Sequence, residues 1–264
     1  MLFSGGIRWD LPIEGTELFA SYSENFKALN DLVLERDAVD SSNIEPETSE
    51  NIELGIRYEG DVLRGSLAYF NNTFDNRLEF FGAQDAGNIP NYTIGTDGRY
   101  DNVGGIETDG FEISGTYLAS DTLSLYSAFT YIDARYVGTG LGAAADQALS
   151  VFPGNQVVNT PETSWVISAD WTNDDFRAGI SAKRVDDRFI DRANTQVAEA
   201  YTTADLYLGA KGSAFSDSLS GLDFGLVVNN LFDESYLGGI SGFGAWLGAA
   251  PVSYTHLTLP TKAL

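Results

Sequence analysis

Hydrophobic and polar residues alternate with a period of two along most of this chain. In one clear stretch, the even positions carry Ile52, Leu54, Ile56 and Tyr58, and the odd positions between them are polar or glycine. The same alternation returns at 111–117, 122–131, 164–171, 176–183, 203–211 and 222–229, and in weaker form at 3–11, 16–27 and 62–77. Successive side chains of a β-strand point to opposite faces of a sheet, so this period predicts about ten strands, each with one apolar face.

The connections between these strands are of two kinds. Short polar turns are predicted at 12–15, 59–61, 119–121 and 173–175, and a somewhat longer turn at 212–220. Long links run roughly over 28–49, 79–103, 138–159 and 189–199, and from 237 onward. Because short and long links alternate along the chain, an antiparallel sheet would place all the long links at one end.

Two architectures are compatible with this pattern. A soluble β-sandwich or propeller also has alternating strands, but its loop lengths need not alternate. A transmembrane β-barrel has alternating loop lengths and also places aromatic residues at strand ends, where they meet the membrane interfaces. Aromatic residues near the predicted strand ends are Trp9, Tyr58, Tyr117, Trp165, Trp171 and Tyr201. The pattern favours the barrel, with ordinary core aromatics as the alternative.

Composition narrows the function classes. The chain has 264 residues with 38 Asp and Glu against 15 Lys and Arg, a net charge of −23. Nucleic-acid phosphates need a cationic surface, so we expect no nucleic-acid partner. The absence of Cys excludes disulfides, thiolate metal sites and cysteine nucleophiles. No carboxylate pair lies in a recognisable glycosidase context, and we predict that the chain is not an enzyme.

One Gly-rich loop contains three acidic residues, Asp85, Asp97 and Asp101. Their spacing does not match an EF-hand, although oxygen ligands of this kind can bind Ca²⁺. Solvated loop charges are the favoured interpretation, so we predict no metal site and no cofactor.

One segment carries a family resemblance. Residues 227–236 resemble the strand segment near the C-terminus of TonB-dependent outer-membrane receptors, of the siderophore-receptor type. Further segments at 20–28, 45–55, 102–112 and 159–162 occur in the order expected of that family, so that the resemblance spans about 3 to 250. The residues that carry the family motif are Asn229, Asn230, Leu231, Phe232, Asp233 and Tyr236.

The resemblance implies a fold, a location and partners. The fold would be an all-β, antiparallel transmembrane β-barrel of 22 strands, plugged by an N-terminal domain. This chain would supply about ten of those strands, without the plug. It would lie in the bacterial outer membrane in contact with lipid. The whole receptor would import a scarce, bulky nutrient such as a ferric siderophore, with energy from the inner-membrane TonB complex acting through the missing N-terminal part.

The two ends of the chain differ in what they imply. We expect residues 1–251 to form the C-terminal portion of the barrel. Residues 252–264 resemble a translated sequencing adapter, and we expect them to be a non-native tail that includes His256, the one histidine. A genuine edge strand is the alternative, but Pro260 and the missing terminal aromatic residue argue against it.

The long links are where we expect a specific ligand site. Arginine could pair with an anionic iron chelate, and aromatic rings could stack on its planar groups. The competing interpretation is that the aromatic residues pack the loops together and that the arginines pair with Asp187 or Asp191. The candidate ligand-binding residues are Phe81, Tyr92, Arg99, Tyr100, Arg188, Arg192, Phe243 and Trp246.

Two other function classes remain as alternatives to the energy-coupled receptor. One is a passive porin or small closed outer-membrane barrel, which would require this chain to be complete. The other is a secreted, acidic β-rich adhesin or an enzyme on a soluble β scaffold, which would require the apolar face to be buried in a protein interior.

Overall fold

The computed structural model describes residues 2–29, 44–82, 98–140, 142–148, 151–241 and 244–258. Within these ranges, no helix is long and apolar enough to cross a membrane. The main sheet has eleven strands, and each pairs antiparallel with its neighbours. This confirms the predicted all-β antiparallel class, with Ser4–Asp10 and Val252–Thr258 as the two edge strands of the sheet.

Most strands of the main sheet have ten or more residues and are long enough to cross a bilayer when tilted. The strands, in their order across the sheet, are β1 (Ser4–Asp10), β2 (Thr16–Lys27), β3 (Glu47–Glu59), β4 (Leu63–Asp75), β7 (Gly105–Ser120), β8 (Leu123–Gly138), β9 (Thr163–Thr172), β10 (Phe176–Val185), β13 (Tyr201–Lys211), β14 (Asp223–Asn229) and β17 (Val252–Thr258).

Smaller elements lie in the connections. Three two-stranded hairpins are formed by β5 (Leu78–Gly82) with β6 (Gly98–Asn102), β11 (Arg188–Phe189) with β12 (Val197–Ala198), and β15 (Leu237–Ser241) with β16 (Gly244–Leu247). A short helix, α1 (Ala143–Ala148), lies between β8 and β9. Two 3₁₀ turns, Gly212–Ala214 and Asp217–Leu219, form the connection from β13 to β14. Each hairpin and α1 falls in a predicted long link.

The strand register joins the apolar positions into one continuous face. Leu54 lies opposite Ala20 on one side and Tyr69 on the other, and Tyr69 lies opposite Phe111. Directly paired residues of an antiparallel sheet project from the same face, so the predicted alternation becomes a single apolar surface. Its side chains are exposed, with Ile113 48% accessible, instead of packed into an interior. This surface is the lipid-facing side of a membrane barrel.

Aromatic residues border this apolar surface near the turns. Trp9, Tyr58, Tyr117 and Trp171 lie on the apolar face beside the short turns, and Trp165 lies near the long links. Tyr201 lies at a strand end as predicted, but the prediction that it belongs to the interfacial aromatic residues was wrong. It pairs with Val185 on the opposite, polar face and is only 8% exposed. The apolar face of β13 carries the even positions, so an odd position points inward even at the strand end.

The inner face of the sheet is polar but contains aromatic rings that lie flat against glycines. A Cβ atom on Gly55 would come within 2.3 Å of the Phe19 ring, and one on Gly110 within 2.3 Å of the Phe70 ring. The guanidinium of Arg57 lies 4.4 Å from the centroid of the Phe19 ring. The glycines therefore let large rings lie against the wall of the sheet.

The segment that we expect to be a non-native tail forms part of the sheet. Val252–Thr258 is the edge strand β17, which pairs with β14 from Asn229 opposite Val252 to Asp223 opposite Thr258. Pro260 lies outside the described residues. An edge strand at this position is compatible with either a native or a non-native sequence. The non-native origin of residues 252–264 therefore stays a prediction.

Candidate ligand-facing rim

All long links emerge at one end of the sheet, and we call this end the rim. It comprises the connections β2–β3, β4–β7, β8–β9, β10–β13 and β14–β17. Part of the rim is a packed core in which Val103, Ile106, Tyr136 and Val151 are buried together, with Val103 fully inaccessible. The rim loops therefore pack on the strand ends and on one another, and they can hold side chains in fixed positions.

The structure places six of the eight predicted ligand-binding residues on hairpins of the rim. Phe81 pairs with Arg99 across β5 and β6, and Tyr100 is the next residue of β6. Arg188 begins β11, and Arg192 lies in the connection to β12. Trp246 is in β16 and its side chain is 54% exposed. Tyr92 and Phe243 lie outside the described residues, as do Asp85 and Asp97 of the acidic loop.

Among the described residues of the rim, Arg192 forms the ion pair that is best shielded from solvent. Its Nε and Nη2 atoms each lie 2.7 Å from Oε2 of Glu79, and the two side chains are 12% and 19% exposed. Oε1 of Glu79 accepts a 3.2 Å hydrogen bond from the hydroxyl of Tyr136. Asn155 donates a 2.9 Å hydrogen bond to the Arg192 carbonyl. Arg192 therefore connects the β10–β13 loop to the hairpin β5–β6.

Arg188 is buried and has no carboxylate partner among the described residues. It is 6% exposed, and its Nη1 and Nη2 atoms donate to Oδ1 of Asn159 at 2.9 Å and to the Leu237 carbonyl at 2.5 Å. Its Nε atom has no hydrogen-bond partner in the part of the chain that the structure describes. A buried charge without a counter-charge is costly, and the two hydrogen bonds of this guanidinium offset part of that cost.

The two arginines join the three hairpins of the rim. Arg192 contacts the hairpin that carries Phe81, Arg99 and Tyr100, and Arg188 contacts the first residue of the hairpin that carries Trp246. The three predicted groups of residues, which are far apart in the sequence, therefore lie on hairpins that are connected to one another. The contacts of Arg188 and Arg192 hold the loops to one another, as the competing interpretation of packed loops expects.

The carboxylate partners proposed in that alternative were wrong. Arg192 pairs with Glu79, and Asp191 instead closes its own turn by accepting hydrogen bonds from the Thr195 amide and hydroxyl and from the Gln196 amide, at 2.9, 2.6 and 2.9 Å. Burial alone would raise the pKa of Asp191, but these hydrogen bonds to the ionised carboxylate outweigh it and lower the pKa. The carboxylate is therefore committed to the turn.

The family motif has a clear structural role around Asn230, which is 3% exposed. Its Nδ2 donates to the carbonyls of Glu234 and Ala249 at 2.9 and 3.0 Å, and its Oδ1 accepts from the Glu234 amide at 2.9 Å. The Asn230 amide in turn donates to Asp205 on β13 at 2.8 Å. Asn230 thus fixes both ends of the β14–β17 connection to the barrel wall.

Tyr236, at the end of the motif, stacks on Tyr201 with 4.0 Å between ring centroids. The other side of this aromatic pair meets Arg188, whose guanidinium lies 5.6 Å from the Tyr201 ring. Gly248 must remain glycine here, because a Cβ atom would lie 2.1 Å from the Tyr236 ring. The inward position of Tyr201 therefore supports the Arg188 site.

Three residues that hold the rim together, Glu79, Asn159 and Asn194, were not among the predicted site residues. Glu79 pairs with an arginine 113 positions away, and no local pattern reports such a contact. Asn159 and Asn194 both have left-handed backbone conformations, with φ of 61° and 56°. Asn tolerates this conformation better than other non-glycine residues, so isolated Asn residues in long links are a usable signal. Among the described residues, no group of three or more acidic or histidine side chains is arranged to bind a metal ion.

Comparison with known proteins agrees with this architecture. A family model described as TonB dependent receptor-like, beta-barrel matches residues 1–231. The probable TonB-dependent siderophore receptor PiuA of Acinetobacter baumannii is 25% identical over 228 residues, which cover 83% of this chain and 26% of that protein. The ferrioxamine B receptor of Salmonella typhimurium is 29% identical over 146 residues, covering 52% of this chain and 19% of that protein.

Solved structures share the fold. The crystal structure of PiuA superposes with a TM-score of 0.72 at 20% identity, covering 97% of this chain and 35% of that one. The unliganded ferric citrate transporter FecA superposes with a TM-score of 0.73 at 21% identity, covering 98% of this chain and 38% of that one. The chain therefore spans about a third of these structures and a fifth to a quarter of the curated relatives.

The fold and the rim define the class of protein as an outer-membrane β-barrel. More particularly, the chain belongs to the TonB-dependent receptor-like β-barrel family. Members of this family lie in the outer membrane of Gram-negative bacteria, which agrees with the lipid-facing surface of the sheet. The family consists of receptors and transporters, so it points away from an enzyme.

Proposed function

We propose that this chain is the C-terminal portion of the barrel of an energy-coupled receptor that imports a ferric siderophore. The inner-membrane TonB complex would supply the energy through a part of the receptor outside this chain. Family membership and relatives named as ferrioxamine B and siderophore receptors support the proposal. The passive-porin and soluble-scaffold alternatives have no comparable support.

The observation that carries the proposal is Arg188, which is buried between rim hairpins and has no carboxylate partner among the described residues. Ferric chelates of carboxylates, catecholates and hydroxamates present oxygen atoms, and arginine binds such groups with paired N–H donors. Exposed Trp246 lies on the hairpin that Arg188 contacts, where an indole ring can cover a planar chelating group. The rim thus offers a cation and an aromatic surface within one set of connected loops.

The proposal is tested by iron uptake through the complete receptor. A bacterial strain without its other siderophore receptors would express the wild-type receptor, Arg188→Ala or Trp246→Ala. Uptake of radioactive iron would be measured from ferric citrate, ferrioxamine B and a ferric tris-catecholate, with and without a protonophore. Arg8→Ala is the matched control, because Arg8 is an exposed arginine near a short turn at the opposite end of the sheet.

We expect saturable uptake of at least one chelate, abolished by the protonophore. Because a hydrogen bond to a charged group contributes about 1.5–3 kcal/mol, Arg188→Ala should weaken uptake affinity at least tenfold. Arg8→Ala should leave it within about twofold. Non-saturable entry that ignores the protonophore would contradict the proposal and indicate a passive pore.

A further inference from the structure

We propose that the lipid-facing surface of the barrel has a specific site for an aminophospholipid, formed by β9, β10, β13 and β14. One acyl chain lies in an apolar groove between these strands, and the acidic turns beside the groove attract the ammonium of the headgroup. Short turns of such barrels lie on the periplasmic side, so the lipid belongs to the periplasmic leaflet. This inference needs only the lipid-facing surface and does not depend on the ligand that the receptor imports.

The groove has a volume of about 760 Å³ and lies on the apolar face of the sheet near the short turns. In each of two adjacent rows of directly paired residues, Ala178 or Ala210 lies between two larger side chains. Paired residues project from the same face, so the alanines form a depression between taller walls. The larger neighbours are Trp171 and Leu208 in the first row and Phe176 and Phe224 in the second.

The position of the groove identifies its occupant. The groove is continuous with the lipid-facing surface, so membrane lipid is the molecule that reaches it. An acyl chain in the depression contacts protein on more than one side, whereas a chain on a flat part of the surface contacts it on one side only. Because each buried methylene adds to the contact, a chain in the groove is held more tightly than its neighbours in the bilayer.

The connection between β13 and β14 gives the groove a closed end, and it is the turn that is longer than the others at this end of the sheet. Its 3₁₀ turn Gly212–Ala214 is followed by Phe215, which is 62% exposed. The Phe215 ring packs edge-on against Phe176 and Phe224, with 6.2 and 5.9 Å between ring centroids. Those two rings flank Ala210, so Phe215 bridges them and closes the groove on the side of the turns.

The charges around the closed end favour a cationic headgroup. The turns that adjoin the groove carry Asp174, Asp175 and Asp217, all of them exposed. The nearby cations, Arg177 and Lys211, are at odd positions of their strands and face the inside of the barrel. The carboxylates therefore repel anionic headgroups and attract an ammonium, and the net charge of −23 acts in the same sense. An aminophospholipid such as phosphatidylethanolamine combines the acyl chain with that ammonium.

The groove does not depend on β17, the strand whose sequence we expect to be non-native. From that strand only Thr255 borders the groove, whereas both alanines and the aromatic rings belong to β9, β10, β13, β14 and the connection that carries Phe215. The complete receptor therefore keeps the groove with a different last strand.

The test is native mass spectrometry of the complete receptor, extracted from outer membranes and washed with detergent until loosely bound lipid is removed. Ala178→Phe fills the groove. Ala169→Phe is the matched control, because Ala169 is a half-buried alanine of the same apolar face, between Leu125 and Ile180 and outside the groove. Phe215→Ser is a second variant, which opens the closed end from an exposed turn and leaves the strands unchanged.

The headgroup is tested by placing the washed receptor in vesicles that contain equal amounts of phosphatidylethanolamine, phosphatidylglycerol and lipid A, and then extracting it again. The variant with both Asp174→Asn and Asp217→Asn removes two of the carboxylates beside the groove. Asp121→Asn is the control, because Asp121 is an exposed aspartate of another short turn.

We expect the wild-type receptor to retain one phosphatidylethanolamine, about two- to fivefold in preference to phosphatidylglycerol. Ala178→Phe should lower the retained fraction about tenfold and Phe215→Ser about threefold, because each removes apolar contact with the chain. Ala169→Phe should stay within about twofold of the wild type. The double aspartate variant should lose the headgroup preference, and Asp121→Asn should keep it.

Three outcomes overturn the inference, and none of them bears on chelate uptake. Retention that is equal in the wild type, Ala178→Phe and Phe215→Ser would show that the groove is not the lipid site. Preferential retention of phosphatidylglycerol or lipid A would exclude the amino headgroup. A second receptor copy or another protein retained in place of lipid, and lost in Ala178→Phe, would show that the groove is a protein interface.

Discussion

Replacing Asn230 by alanine should loosen the β14–β17 connection far more than its small change in volume suggests. The side chain, which is itself buried, makes three hydrogen bonds that join Glu234 and Ala249. Its backbone has a φ of 50°, a left-handed conformation that asparagine adopts more readily than alanine. The substitution therefore removes the hydrogen bonds and also strains the turn.

The magnitude follows from these two effects. Each lost hydrogen bond costs about 1 kcal/mol. The left-handed backbone adds about 1–2 kcal/mol for alanine. Asn230→Ala should therefore lower the free energy of local opening of the β14–β17 connection by about 4 kcal/mol, so that this segment opens roughly a thousandfold more often. Asn230→Gly keeps the backbone effect small and should cost about 3 kcal/mol.

The assay is native-state hydrogen exchange of residues 231–250 in the complete receptor, followed by mass spectrometry. Asp233→Ala is the control, because Asp233 is exposed and also has a positive φ, 57°, so it carries the backbone effect without the buried amide contacts. In Asp233→Ala we expect residues 231–250 to exchange about tenfold faster than in the wild type. If Asn230→Ala exchanges no faster than Asp233→Ala, the asparagine contacts do not hold the connection and the reasoning is refuted.

Three further predictions concern the barrel wall and the rim. Gly110→Ala should destabilise the folded barrel by about 1–3 kcal/mol in urea unfolding, because the added Cβ atom would collide with an aromatic ring and a carbonyl oxygen. Gly225→Ala is the control, because a Cβ atom there has open space and the substitution should be nearly neutral. Equal changes in stability for the two variants would contradict this prediction. The Asp191 carboxylate has a lowered pKa, so its stabilisation of the turn is present above the unfolded value of about 3.9 and is lost as the pH falls through the folded pKa. The protection of amides 191–196, measured as exchange relative to the intrinsic rate at each pH, should therefore fall in acid in the wild type but not in Asp191→Asn. Arg188→Ala should speed exchange at 237–241 about tenfold, because the Leu237 carbonyl loses its donor; unchanged exchange would exclude Arg188 as a link between loops.

The barrel wall could be predicted from sequence because each strand lies between two different solvents. Ile113 faces the apolar side and Ser114 the polar side, and this choice is visible in the order of the residues themselves. Loop lengths then gave the rim, since antiparallel strands place alternate connections at the same end. Tyr201 shows the limit of this reasoning. It was assigned to the interfacial aromatic residues because it lies near a strand end, without considering that its odd-numbered position faces the inside of the sheet.

The rim could not be predicted in the same way. Arg192 was identified as a candidate by its residue type, but its partner Glu79 is 113 residues away and follows no period. Asn230 was identified by family resemblance, and only the structure shows that its amide closes the connection. Contacts among loops depend on how the strands bring distant segments together, which a local pattern does not contain.

The most direct test of the account is the lipid exposure of alternate positions on β7 in the outer membrane. The chain has no cysteine, so single cysteines at 111–117 can each be spin-labelled without competing thiols in this part of the receptor. We predict high accessibility to dissolved oxygen at the odd positions, including Ile113, and low accessibility at the even positions, including Ser114. Equal accessibility along the strand, or oxygen accessibility at the even positions instead, would contradict a lipid-facing apolar surface.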